Sequence, residues 1–315
     1  MTKPPKPATT VNQQIALLRA RGMEVDDTLA QQWLANVSYY RLSAYWYPAR
    51  AINSDGLRED NFIGDISFAH VAELYEADRK LRTLVHDGME RIEVAMRTRI
   101  GERLYATSPS AYTDPTRFRD TFKHAQWVDK ANERIDRAID NNDAIQHYES
   151  EYNRPYPFWI LAEVLDFADI SLLFKGLKIR DQRQIAEELN IVIDLDLLSE
   201  NQRRKVKQQS PLTRWLHQFT IVRNACAHHG RLWNRSFIPA PTSALRTQAE
   251  FSSLPEGQSE RLFGALIVMA HILRVVSPGT TWPAKGADLI TDLFLPNPLV
   301  SPKALGLPEN WNGSF

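Results

Sequence analysis

Apolar residues recur every three or four positions along almost the whole chain, whereas strict alternation over a strand's length is scarce. That periodicity predicts a mainly α-helical fold. Val11 to Ala20, with Ile15, Leu17 and Leu18, and Asp27 to Val37 form a short helical pair turned by Arg21-Gly22. A dense aromatic segment, Tyr39 to Pro48, follows and reads as packing. Residues 51 to 66 carry Asn, Asp and Gly and read as a loop. A long helix is expected over Phe68 to Tyr105, with Leu74, Leu81, Leu84, Val85, Gly88, Ile92 and Ala95 along one stripe. Arg82, Arg91, Arg97, Arg99 and Arg103 fall on its other faces, as a solvated surface with Glu90 and Glu93 as partners.

Farther on, Phe122 to Tyr152 is charged and helical in pattern. Pro157 then opens a segment whose stripe of Phe158, Leu161, Ala162, Leu165, Leu172 and Leu173 runs toward Gly176. A shorter helix is expected at Asp181 to Leu189, and the basic run Arg203 to Lys207 reads as a solvated linker. Phe263 to Val276 is the longest apolar run, but His271 and Arg274 interrupt it. It falls short of the roughly 20 residues that cross a bilayer, so it reads as a buried helix. The expected organisation is an all-α helical bundle with an N-terminal helical extension: a flexible lead over residues 1–10, a helical segment over 11–60, the main helical domain over 61–295, and an irregular Pro-rich tail over 296–315.

Composition narrows the function. Lysine plus arginine and aspartate plus glutamate both number 38 in 315 residues. No global positive field draws the chain onto nucleic acid, so any such contact must be local. The 43% hydrophobic content with 8 Trp is ample for a core. One cysteine, Cys226, excludes an internal disulfide and any multi-cysteine zinc site, as expected in a reducing compartment. The lead has no apolar signal-peptide core, and a cytoplasmic location is the expectation.

Candidate chemistry gathers on one helix. Ser210-Pro211 reads as its start, with Ser210 as cap, and Gly230 as its stop. Leu212, Trp215, Phe219, Val222 and Cys226 recur every three or four residues and mark its core face. At about 100° per residue, Asn224 and His228 then lie opposite that stripe, and Arg223 lies on the flank within side-chain reach. His229 falls nearer the apolar edge, where packing or capping suits it.

A guanidinium, a polar partner and an imidazole together suit cleavage of a ribose phosphodiester by the sugar's own 2′-hydroxyl, with no metal or other cofactor. An imidazole with a free pKa of about 6.5 can take or return a proton near neutrality. A guanidinium can hold the phosphate. The adjacent His228-His229 pair also invites a metal reading, but neighbouring helical residues diverge by about 100° and no carboxylate lies in the motif.

These residues resemble the HEPN ribonucleases, helical proteins whose signature is an arginine, a polar residue beside it and a histidine shortly after. Arg223-Asn224-x-x-x-His228 matches that signature. The chain is more closely similar to the abortive-infection branch (Abi-like, AbiD/AbiF type), through Arg223 to His229 with Arg231-Leu232-Trp233-Asn234-Arg235. Tyr39-Tyr40-Arg41-Leu42-Ser43-x-Tyr45-Trp46 and Asp78-Arg79-x-Leu81-Arg82 with Ile92-Glu93 also look like it. The likeness runs from about residue 12 to 240.

The resemblance implies a HEPN-like helical bundle and phage defence by RNA cleavage, with Arg223, Asn224 and His228 catalytic. Arg231, Arg235, His229, Tyr40 and Arg41 are candidate RNA contacts; Arg231 and Arg235 suit a dimer interface as well. A homodimer with a composite site is also implied, and an inhibitory small RNA or antitoxin is a possible partner. Arg79 and His86 meet the signature's spacing loosely. Lys80 replaces the polar partner, however, and the segment matches the branch's long N-terminal helix, so they are left out of the site. Two other functions stay open from the residues alone: a non-catalytic RNA-binding or regulatory module, and a scaffold whose polar helix face forms a dimer seam.

Overall fold

The computed structural model describes residues 7–315. The first six residues of the expected lead lie outside it, and its last residue, Thr10, already caps a helix. The helices are α1 (Val11–Ala20), α2 (Asp27–Val37), α3 (Tyr39–Trp46), α4 (Phe68–Tyr105), α5 (His124–Ala138), α6 (Asp143–Glu151), α7 (Phe158–Val164), α8 (Phe167–Gly176), α9 (Ile179–Glu188), α10 (Glu200–Gln208), α11 (Leu212–Ala227), α12 (Leu262–Val276), α13 (Trp282–Leu289) and α14 (Pro302–Leu305). Two small antiparallel pairs, β1 (Arg50–Ile52) with β2 (Arg58–Phe62) and β3 (Ala240–Pro241) with β4 (Gln258–Ser259), are the sheets among the described residues. The fold is all-α.

The long helix α4 is the axis. Ser67 starts it by accepting the His70 amide, while His70 returns a bond to the Ser67 amide. Its stripe of Leu74, Leu81, Val85 and Ile92 is fully buried, and α2, α3, α7, α8, α11, α12 and α13 all pack on it. Gly88 lets α13 come close, since a methyl group there would stand 2.7 Å from Trp282 Nε1. That nitrogen donates to the Leu84 carbonyl. One continuous apolar cluster runs from Ile15 to Leu307, so the N-terminal helices share the core of the main bundle. No helix among the described residues is long and apolar enough to cross a membrane. As expected, α12 is buried along almost its full length.

Several expectations are corrected. The α4 arginines are not a solvated face: Arg82 is buried against Asp78, Arg97 pairs with Glu93, and Arg99 and Arg103 reach Glu188 of α9. Arg91 binds Asp87, not Glu90. The loop expected at 51–66 holds the β1–β2 hairpin, whose second strand is exposed at nearly every position and so shows no alternation. Asp60, paired with Arg21 and Arg50, fastens it.

The charged stretch from Phe122 splits into α5 and α6 because Asn142 caps a new helix. The stripe after Pro157 splits at Asp166, which caps α8, and Leu172 faces solvent. The expected linker at Arg203 to Lys207 is helical, started by Ser199 with Gln202; only Val206 buries, so no stripe announced it. The irregular tail packs: Trp311 and Phe315 lie against Phe263, and the Arg274 guanidinium donates to the Phe315 carbonyl.

Candidate functional site at the end of α11

Helix α11 buries Leu212, Trp215, Phe219 and Val222 completely and Cys226 nearly so, which is the stripe the spacing predicts. Pro211, one residue later than expected, sits at the N-cap, and the Ser210 side chain does not cap. The Ser210 amide instead donates to Gln182 Oε1 at 3.0 Å, tying α11 to α9. Burial pushes the Cys226 thiol up to about 12, so it is held as an inert apolar group.

On the outer side Asn224, His228 and His229 are exposed and Arg223 is half-buried. The Arg223 guanidinium lies 3.5 Å from Asn224 Oδ1. The helix ends one residue sooner than Gly230 suggests, with His228 as its cap. The His229 amide donates to the Cys226 carbonyl and the Gly230 amide to that of Ala225, with His229 itself at φ 55°. A histidine, not the glycine, therefore takes the left-handed position of the stop. Gly230 serves close approach: a methyl group there would stand 3.2 Å from the Ala225 carbonyl and 3.3 Å from the Arg235 guanidinium.

Two interactions fix this end in the molecule. The Arg41 guanidinium of α3 donates to the His229 carbonyl and to the Tyr75 hydroxyl, packing over the Tyr75 ring. Beneath, the fully buried Asp78 carboxylate accepts from Tyr45 Oη at 2.7 Å, Arg82 Nη1 at 2.5 Å and the amides of Leu232 and Trp233 at 3.2 and 2.8 Å. Burial pulls the Asp78 carboxyl upward, and Arg82 and the three neutral donors pull it back. Burial and Asp78 together raise the Tyr45 hydroxyl, which keeps it a donor.

Arg231 is committed inside the fold. Its guanidinium donates to the Ala44 carbonyl and packs against both the Tyr45 and Trp233 rings, 6.0 and 5.6 Å from their centroids. Arg235 is exposed beside Phe237, and Tyr40 points outward at 88% exposure. Trp233 is core. Among the described residues Arg41, Arg223, Arg231 and Arg235 make no ion pair with a carboxylate, unlike the paired arginines of α4. Desolvation lowers the Arg231 guanidinium, Tyr45 and Asp78 pull it back up, and Arg235 adds a smaller lowering.

A cavity of about 840 Å³ opens beside this end. Arg41, Tyr75, Arg79, His86 and His229 line it, with Cys226 and Ala227 at the α11 wall. Arg223 lies one turn before Ala227 on the same helix face but does not line the cavity. Asn224 and His228 do not line it. Arg79 and His86 match the signature only loosely in sequence, and the cavity they share with His229 is visible only in three dimensions. Asp78 had a signal available: it is a carboxylate one turn after Leu74 in the apolar stripe. Among the described residues no group of three or more His, Cys, Asp or Glu side chains is gathered as a metal site.

A family model described as Abi-like protein matches residues 32–234, more than half of the chain. The chain belongs to the Abi-like family. The matched span takes in α3, α4, α11 and Leu232-Trp233, the segments that meet at Asp78. Abi-like membership associates the chain with abortive infection, a form of phage defence. No curated protein and no solved structure matches it.

Proposed function

We propose that this Abi-like chain is a metal-independent endoribonuclease that acts in abortive infection. The observation that carries the reading is that Arg41, Arg223 and Arg235 stand around the exposed end of α11 without carboxylate partners among the described residues, in a chain of zero net charge. Gathering like charges without counter-charges costs folding free energy, and an anionic ligand removes that cost. RNA phosphate is such an anion.

In this reading the 2′-oxygen attacks the adjacent phosphorus while the P–O5′ bond breaks, leaving a 2′,3′-cyclic phosphate and a 5′-hydroxyl. His228 carries the proton, Arg223 stabilises the charge on the phosphate, and Asn224 orients Arg223. A second copy of the chain facing the first would supply the other proton carrier, which is the reason for proposing a homodimer.

A labelled RNA pool incubated with the protein in excess chelator is expected to give cyclic-phosphate ends. Arg223→Ala is expected to slow cleavage on the order of a hundredfold. Ends of another chemistry, or dependence on added metal, would overturn the mechanism. One observation favours a second reading, a non-catalytic RNA-binding or regulatory module: His228 stands outside the cavity lining. That reading expects salt-sensitive RNA binding without scission.

A further inference from the structure

The cavity beside the end of α11 does not stop there. A second cavity of about 620 Å³ continues along α4 and shares Arg79, Thr83 and Asp87 with the first. Its far wall is the turn between α12 and α13, where Ser277 and Thr280 meet the Arg91 guanidinium, together with the exposed Lys285 of α13. The two form one groove, reaching from His229 past Arg79 to Arg91, and the Arg79 to Arg91 stretch alone is about 18 Å of helix.

Charge along the groove is one-sided. Arg41, Lys80 and Lys285 have no carboxylate partner among the described residues, whereas the groove's Asp87 is neutralised by both Arg91 nitrogen–oxygen contacts at 2.7 and 2.8 Å. Glu90 is the one lining carboxylate without a basic partner there. The His86 and His229 imidazoles make no side-chain hydrogen bond among the described residues. Thr83, Thr280 and Thr281 line the same space, with the Thr83 hydroxyl donating to the Arg79 carbonyl and the Thr280 hydroxyl accepting from Arg91 and the Trp282 amide. Spaced cations and uncommitted imidazoles on a long open floor fit an extended polyanion and not a compact one.

We infer that this groove along α4 seats a single-stranded RNA, carrying the strand from the end of α11 to the α12–α13 turn within one chain. The inference rests on the RNA reading of the α11 end and adds the path of the strand. Lys80 and Lys285 contact phosphates of the strand, Arg79 is held by Glu76 at 2.9 Å, and Glu90 weakens binding.

Binding of a labelled single-stranded oligonucleotide to full-length His228→Ala protein tests it, with the salt slope measured for each variant. Lys80→Glu with Lys285→Glu is expected to weaken binding on the order of tenfold and lower the salt slope by about two. Glu90→Gln is expected to tighten it. Lys130→Glu, in a separate cationic cleft between α5 and α8, is expected to leave affinity unchanged. The inference is overturned if the Lys80, Lys285 double variant binds as the parent does, or if Lys130→Glu is the change that abolishes binding. Wild-type cleavage is scored separately. Groove-dependent binding without any scission keeps the groove and removes the nuclease, and scission indifferent to groove charge does the reverse.

Discussion

Asp78 has no exposed surface, yet it holds four donors from three separate stretches of chain. Removing its carboxylate leaves Arg82, itself buried, without a counter-charge. Asp78→Ala is therefore expected to cost about 3–5 kcal/mol in urea unfolding, the range for breaking one partner of a buried pair. A loss within a surface pair's range would remove Asp78 as the hub.

His229 offers the opposite test. A left-handed backbone costs an L-residue about 1–2 kcal/mol, and glycine escapes this at an entropic cost of about 0.5–1 kcal/mol. His229→Gly is expected to keep or slightly raise the melting temperature, whereas His229→Val lowers it. At this scale the sequence was informative where a side chain follows helix geometry. Asn224 and His228 are exposed because they lie opposite Trp215 and Phe219. It was uninformative where a fate depends on distant chain: Arg231 found Ala44, and Arg41 found the His229 carbonyl.

Among the elements, α12 carries a buried titratable group. His271 Nε2 lies 3.1 Å from the carbonyls of both Leu189 and Asn190, so that nitrogen bears the proton, and the ring packs on Phe251. Burial lowers the buried His271; partial desolvation followed by Arg214 and Lys175 also lowers His217, but that ring is exposed and solvent screening leaves it the smaller contribution to stability. With the folded values depressed, the unfolded chain binds more protons in the window below its free value of about 6.5. The stability these rings contribute is complete above that pH and is lost as pH falls through the lowered values. Melting temperature is expected to drop between pH 7 and 5, and His271→Gln to flatten part of that drop. A profile unchanged by the substitution would contradict it.

Elements with a buried stripe, α1, α2, α4 and α11, were legible nearly to the residue because burial imposes the period. The β1–β2 hairpin and α10 were not, since one is exposed on both faces and the other buries only Val206. The breaks before α6 and α8 depended on caps, Asn142 and Asp166, inside stretches that otherwise keep a helical pattern.

At the scale of the whole molecule, one core spans the chain from Ile15 to Leu307, and the Abi-like segments are parts of a single arrangement around Asp78. The order of those segments was visible in the sequence. Their convergence was not, because it runs through a buried carboxylate and the backbone amides of Leu232 and Trp233. The surface that results places unpaired guanidiniums around exposed imidazoles at one helix end, with a groove leading away from it. Cleavage of a labelled RNA pool in excess chelator, comparing wild type with His228→Ala at matched folded fraction, tests that account most directly. Scission by wild type that falls at least a hundredfold with His228→Ala, in the range expected for a general acid–base group, is the predicted result. Full-rate scission by His228→Ala would contradict it.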